Sequence, residues 1–295
     1  MTSTATFLVL GGLALASAPA RAQATLFAPV VTYPVGSAPR NLAVADVNND
    51  GKADVLTANQ NSSTVSVLLG NGNGTFQAPV SYNAGAGSNP HDIAVADVNG
   101  DGRPDLLTAN YGSNSAGVLL GNGDGTFREA ASFATGAANG RPVGIAVGDV
   151  NGDGKPDLLT ANSVGYSVSL FAGTGAGTFQ APVSYQFSTI SVPLDVAVTD
   201  FNADGRLDIL AVNAGSNSLL TLQNLGGSFQ PASYPVGIGA SFIPFGLAIG
   251  DVNNDGKPDV VTANQGNSTV SVLRNNFPAF PAFGPDVSFQ DSGSP

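Results

Sequence analysis

The sequence has no cysteine, no tryptophan and one histidine, His91, in 295 residues. Without cysteine there is no disulfide framework, no thiol chemistry and no Cys-based zinc site. One histidine excludes His-pair metal motifs and leaves little for a His-dependent catalytic triad. Basic residues are also scarce, 10 against 21 acids, for a net charge of −11. A nucleic-acid partner is therefore not expected, because phosphate binding needs clustered lysine and arginine. Glutamate is almost missing: all acids but Glu129 are aspartate. Such usage points to short carboxylates set in tight turns rather than to a helical acidic surface. No segment has the ~20 consecutive apolar residues of a membrane-spanning helix. Charged residues make up only 11% of the chain while hydrophobic residues make up 42%, so the chain folds.

The amino terminus reads as an export signal over residues 1–22. Residues 7–18 are apolar and small, and Ala20-Arg21-Ala22 offers a cleavage site before Gln23. The first six residues carry no Lys or Arg, so a buried strand or an anchoring helix is the alternative. The mature protein is expected outside the cytoplasm, secreted or on the cell surface.

What fills residues 23–276 is a repeat. Asp46, Asp97, Asp149, Asp200 and Asp251 open the same nine-residue pattern, spaced by 51, 52, 51 and 51. A fixed period of this size marks a solenoid, propeller or array. Each unit reads as four short strands with no helical periodicity. The first has Ala at its centre, as in Leu42-Ala43-Val44, and a proline stands seven residues before each loop Asp: Pro39, Pro90, Pro142, Pro193 and Pro244. Proline at a strand start costs no ladder bond. The second strand covers residues 54–58 and its copies, the third 64–69, and the fourth 76–82, 127–133, 179–185 and 229–234. Four strands per unit of about fifty residues predict an all-β fold, a β-propeller of five blades. Residues 27–33, Phe-Ala-Pro-Val-Val-Thr-Tyr, repeat the fourth-strand pattern ahead of the first unit. They are expected to pair with residues 269–274 and close the ring. Residues 283–289, in the Pro- and Phe-rich tail 277–295, carry the same pattern, so a six-bladed or incomplete ring is the alternative.

The five loops are rich in oxygen donors. They comprise Asp46, Asn48, Asp50, Lys52 and Asp54; Asp97, Asn99, Asp101, Arg103 and Asp105; Asp149, Asn151, Asp153, Lys155 and Asp157; Asp200, Asn202, Asp204, Arg206 and Asp208; and Asp251, Asn253, Asp255, Lys257 and Asp259. Oxygens at positions 1, 3, 5 and 9, with the position-7 carbonyl and Gly at 6, suit one hard cation per loop, and calcium above magnesium. The position-7 side chain is expected to point outward, and the ninth Asp to be the bidentate ligand. Position 12 is not Glu, so these are not EF-hands. Fifteen of the 20 aspartates lie in these loops, and five divalent ions would offset all but about one of the eleven net negative charges.

The repeat resembles the FG-GAP/VCBS family of calcium-binding propeller repeats, related to those of integrin α subunits. The resemblance rests on Ala-Val-Ala-Asp-Val-Asn-Asn-Asp-Gly, Val-Ser-Val-Leu-Leu-Gly-Asn-Gly and Gly-Thr-Phe-Gln-Ala-Pro-Val. It implies a secreted or surface propeller with about five structural calcium ions. The best-known rings of the family have seven blades, from which five units depart. The family spans adhesion proteins, lectins and domains attached to polysaccharide-degrading enzymes, so it implies a fold more than an activity.

Glycine-rich stretches such as Gly70-Asn-Gly72-Asn-Gly74 sit between two strands and recur with the period, so they read as hairpin turns rather than phosphate loops. Asp92 and Asp195 occupy equivalent places five residues before a loop Asp, with Arg40 and His91 as neighbours. These four form the candidate ligand site at one mouth of the channel. A carboxylate pair there could act in glycoside cleavage, or else could cap strand starts by bonding backbone amides. The leading reading is a monomeric, non-enzymatic module binding carbohydrate or protein. A polysaccharide hydrolase or lyase and a purely structural surface module are the alternatives.

Overall fold

A computed structural model gives the structure of the protein and describes residues 30–137, 139–188, 190–237, 242–278, 283 and 287–290. The chain divides into Met1–Thr32 and Tyr33–Pro295. The expected export signal lies outside the described residues.

The described residues form five antiparallel sheets of four strands, arranged as a five-bladed β-propeller. Blade 1 is built from β1 (Pro39–Ala45), β2 (Asp54–Asn59), β3 (Thr64–Leu68) and β4 (Val80–Asn83). Blade 2 follows with β5 (Pro90–Ala96), β6 (Asp105–Asn110), β7 (Ser115–Leu119) and β8 (Ala131–Ala134). Blade 3 comprises β9 (Pro142–Gly148), β10 (Asp157–Asn162), β11 (Ser167–Phe171) and β12 (Val183–Gln186). Blade 4 comprises β13 (Pro193–Thr199), β14 (Asp208–Asn213), β15 (Ser218–Asn224) and β16 (Phe229–Pro235). Blade 5 comprises β17 (Pro244–Gly250), β18 (Asp259–Asn264), β19 (Thr269–Leu273) and β20 (Val287–Gln290).

Each inner strand begins at the proline singled out by the repeat, and the ladder slips by one residue directly after it, as between Pro39 and Asn41. Proline has no amide to give the ladder, so the slip places it where no bond is owed. The middle strands of blades 2, 3 and 4 are buried on both faces, because each of these blades is packed between two others. Their near-continuous apolar runs, such as Leu106, Leu107 and Ala109, reflect this. The core lies between blades. Leu56, Val65 and Val67 of blade 1, for example, pack with Ile93, Leu106 and Phe127 of blade 2.

An aromatic from one outer strand meets the Phe that opens the outer segment of the next blade, edge to face. The pairs are Tyr82–Phe127, Phe133–Phe179, Tyr185–Phe229 and Tyr234–Phe283, with ring centroids 5.2 to 5.4 Å apart. This geometry suits the aromatic quadrupoles.

Ring closure differs from the sequence expectation. The place on β19 is held by β20, in the register Val270↔Phe289, not by residues 27–33, whose first three lie outside the described residues. The likeness of residues 27–33 to an outer strand still has a structural counterpart. Tyr33 stands edge-on to Phe76 at 5.5 Å, and the Phe76 amide donates to its hydroxyl. Tyr33 thus fills the socket on blade 1 that a preceding blade's aromatic fills elsewhere. With that socket taken, the junction between blades 5 and 1 is looser than the others. Leu42 is 59% exposed where its counterparts Ile93 and Val196 are 6% and 4%; Val270 is 42% exposed where Val65 and Val168 are 0%. The two blades still approach at the mouth, where the Arg40 guanidinium lies 5.9 Å from the Phe245 ring centroid.

Candidate functional site

The first candidate is the set of loops joining each inner strand to its neighbour. Positions 4 and 6 take left-handed backbone, as at Asn49 (φ 57°) and Gly51 (φ 79°) or Gly152 (75°) and Gly154 (81°). Glycine and asparagine adopt that region at low cost; position 6 is Gly in all five loops, while position 4 of the fourth loop, Ala203, holds it at φ 58°. The tight turn faces the first carboxylate toward the amides that follow. The Asp50 amide donates to Asp46 Oδ1 (3.1 Å) and the Gly51 amide to Asp46 Oδ2 (2.7 Å). The same pair recurs at Asp97, Asp149, Asp200 and Asp251. Asn48, Asn99, Asn151, Asn202 and Asn253 each accept from the amide at position 5.

The ninth aspartate sits apart from these. Asp54, Asp105, Asp157, Asp208 and Asp259 are fully buried. Each carboxylate bridges two turns. In blade 1 the Val47 amide donates to Asp54 Oδ2 (2.9 Å) and the Gly70 amide to Oδ1 (2.7 Å). The other four blades repeat this with Gly121, Gly173, Asn224 and Asn275. Burial pushes Asp105 and Asp157 above the ordinary carboxylate range and Asp208 up to about 6; the accepted amides oppose the rise and neighbouring loop carboxylates add to it. The ninth Asp, expected as a bidentate ligand, is thus engaged as a clasp between two turns.

The position-7 side chain lies at the exposed surface of the loop. It folds back onto the Asp at position 5 in three loops: Lys52–Asp50 (3.1 Å), Lys155–Asp153 (3.8 Å) and Arg206–Asp204 (2.8 Å). In the fifth, Lys257 Nζ donates to the Phe277 carbonyl (2.7 Å). Crowded carboxylates attract the nearest cation. Among the described residues no three acidic or imidazole side chains converge as a finished metal cage. The donor set is nonetheless all oxygen, repeated five times on turns whose carboxylates are pre-oriented by amides. That chemistry fits a hard cation and not a soft transition metal. The glycine-rich stretches are hairpin turns, with the Asn71 amide donating to the Thr75 carbonyl (2.9 Å).

The second candidate is the mouth. Arg40, His91, Asp92 and Asp195 all line one axial pocket of about 120 Å³, with Val143, Leu194 and Phe245 as apolar walls. The repeat brings them together because they occupy the same two register positions of different inner strands. Asp92 bridges blades: it accepts from the Ile93 amide of its own strand (2.8 Å), from the Ile145 amide of blade 3 (3.0 Å) and from Asn41 of blade 1. Asp195 likewise accepts from Val196 (2.8 Å) and from Leu247 of blade 5 (2.9 Å). The equivalent positions in the receiving blades are Gly144 and Gly246. At Gly144 a Cβ would lie 2.9 Å from Asp195 Cα. Burial raises the Asp92 carboxyl and pushes Asp195 up to about 6, with the charge of Asp92 adding to the shift.

His91 is buried and stacks flat on Tyr111, with centroids 4.4 Å apart at an interplanar angle of 3°. Arg141 in turn lies 4.9 Å from the Tyr111 ring centroid. Burial first, and then the Arg40 charge, together lower the imidazole pKa to about 4. His91 is thus neutral at pH 7. Tyr111 and Asn41 were missed by sequence reasoning. Asn41 carried a signal, since it shares the register position of Asp92; Tyr111 is unique to its blade.

No curated protein sequence matches the chain. Among solved structures, streptogramin B lyase is similar at a TM-score of 0.61 and 18% identity, over 86% of this chain and 69% of that one. A catalytically inactive virginiamycin B lyase from Staphylococcus aureus with quinupristin gives 0.61 and 14%, over 86% and 70%. BBS1N in complex with ARL6DN gives 0.59 and 12%, over 87% and 70%. At these identities the likeness concerns the fold alone. No described helix is long and apolar enough to cross a membrane. The FG-GAP-like repeat model matches residues 46–108, 97–160, 149–211 and 200–262, the register of the loop aspartates. With the repeat, the blades and this match in the same register, the chain belongs to the FG-GAP-like repeat family.

Proposed function

We propose that the protein is an exported, calcium-stabilised propeller that binds a carbohydrate or protein ligand and performs no chemistry on it. The observation that carries this reading is the state of the mouth carboxylates. Every oxygen of Asp92 and Asp195 accepts a backbone amide from an inner strand. A general acid or nucleophile must be free to meet substrate, whereas these groups fasten one blade to another and shape a pocket. Calcium would be held by loop positions 1, 3 and 5 with the carbonyl of position 7, and would supply positive charge to turns crowded with carboxylates. Export is supported by the composition of residues 1–22.

The test joins a glycan array to a turnover assay on the polysaccharides that bind, with Asp195→Asn as control. Binding without turnover is expected. Turnover abolished by Asp195→Asn would replace this reading by the hydrolase or lyase. Amino-terminal sequencing of the natural protein should begin at Gln23, and retention of Met1 would contradict export.

A further inference from the structure

In the axial pocket the acceptors are engaged and the donors are not. Asp92 accepts from the Ile93 and Ile145 amides and from Asn41, and Asp195 from the Val196 and Leu247 amides. Arg40 is the basic residue of the lining and is exposed on β1. Among the described residues the ion pairs are those of Lys52, Lys155 and Arg206, so the Arg40 guanidinium has no carboxylate partner and lies against the Phe245 ring. A second observation comes from His91. It is 6% exposed, lines the same pocket, and neither ring nitrogen has a hydrogen-bond partner in the protein. The neutral imidazole keeps one N–H to donate. Arg40 is near enough for its charge to bear on His91.

A guanidinium and an imidazole N–H call for an acceptor, and the guanidinium for a charged one. The planar match is a carboxylate, bonded through two parallel N–H···O contacts. Charge sets a limit: Asp92 and Asp195 stand in the same wall, so a dianion would meet more repulsion there than a monoanion. The crowded loop aspartates lie at the other end of the seven-residue inner strands. That is a distance of about 20 Å, beyond the screening length of about 8 Å at physiological salt. A cavity of about 120 Å³ walled by Val143, Leu194 and Phe245 admits a carboxylate and the carbons next to it.

We propose that the mouth pocket takes the carboxylate of a monoanionic small ligand, paired with the Arg40 guanidinium and accepting the His91 N–H. This rests on the binding reading above and gives its ligand a charge and a planar head. A uronic-acid sugar and a simple organic acid both carry that group, and the choice of probes separates them.

Since the chain has a single histidine, selective ¹⁵N-histidine labelling yields one imidazole spin system, that of His91. The full chain with calcium present is titrated near neutral pH, at constant ionic strength, with butyrate, galacturonate, n-butanol, galactose and sulfate. A carboxylate probe should shift the His91 signal saturably, with a dissociation constant on the order of 1 mM. Tighter binding of galacturonate assigns the group to an acidic sugar, and tighter binding of butyrate to a simple acid. Butanol, galactose and sulfate should act at least about tenfold more weakly. Arg40→Gln should weaken the carboxylate response by about tenfold or more, and Arg40→Lys should restore it only in part. Should these variants not fold, His91→Phe, which keeps a ring against Tyr111, should weaken carboxylate binding seen by ligand-detected saturation transfer. Equal responses to butanol and butyrate, a sulfate response matching that of the carboxylates, or an undiminished response in Arg40→Gln would overturn the proposal. So would the lack of any saturable response to a carboxylate. Neutral glycans bound on the array without a carboxylate response would defeat this inference and leave the binding reading intact.

Discussion

Gly144 and Gly246 occupy equivalent positions yet meet different surroundings, and this sets their tolerance to substitution. At Gly144 an added methyl would lie 2.9 Å from Asp195 Cα and 3.0 Å from the Leu194 carbonyl, both backbone and unable to swing away. At Gly246 the nearest atom is a carboxylate oxygen 3.8 Å off, an ordinary contact. Gly144→Ala should therefore cost about 1–3 kcal/mol and Gly246→Ala no more than about 0.5 kcal/mol, measured by urea unfolding. Equal costs would mean that blades 3 and 4 do not approach as described. His91 supplies a second residue-scale prediction. Its folded pKa near 4 lies below the ordinary 6.5. Between those values the unfolded chain binds the extra proton, so the contribution of neutral His91 to stability is present above pH 6.5 and is lost as pH falls toward 4. The single imidazole signal should titrate near 4; a midpoint near 6.5 would place His91 in solvent.

At the scale of the element, the junction between blades 5 and 1 tests how much each blade owes to its neighbour. Leu42 and Ile93 are equivalent, one exposed and one buried. Ile93→Ala should cost about 2–5 kcal/mol, and Leu42→Ala about 0.5 kcal/mol or less. Comparable losses in urea unfolding would show a junction as tight in solution as the other four. Strand order, the proline starts and the loop positions were legible in the sequence because each repeat solves the same local problem: a turn needs its left-handed residues, and a strand start tolerates Pro39 or Pro90. Closure was not legible, because residues 27–33 and 283–289 carry one outer-strand pattern, and the pattern alone does not decide which of them pairs with β19. The meeting of Arg40, His91, Asp92 and Asp195 was legible from register. The partners of Asp92 on blades 1 and 3, and the role of Asp54 and its copies as clasps, depend on hairpins brought together only by the fold.

For the whole molecule, stability is distributed over four tight junctions, a looser one between blades 5 and 1, and five similar loops, in each of which the proposed calcium has the same structural part. Extracellular sites often bind with constants of about 10⁻⁴ to 10⁻³ M. At roughly ten times such a constant each site contributes about 1.4 kcal/mol, so five independent sites contribute about 7 kcal/mol, comparable with the whole stability of a domain, about 5–15 kcal/mol. Asp153→Ala, in the third loop, should lose one ion and about a fifth of that increment while leaving the mouth unaltered. Calorimetry of the full chain with calcium, with chelator, and with magnesium after chelation tests the central claim most directly. A large fall in Tm on chelation, restored by calcium and little by magnesium, is expected. A Tm unchanged by chelation would contradict it and leave the five loops as turns held by their own amides.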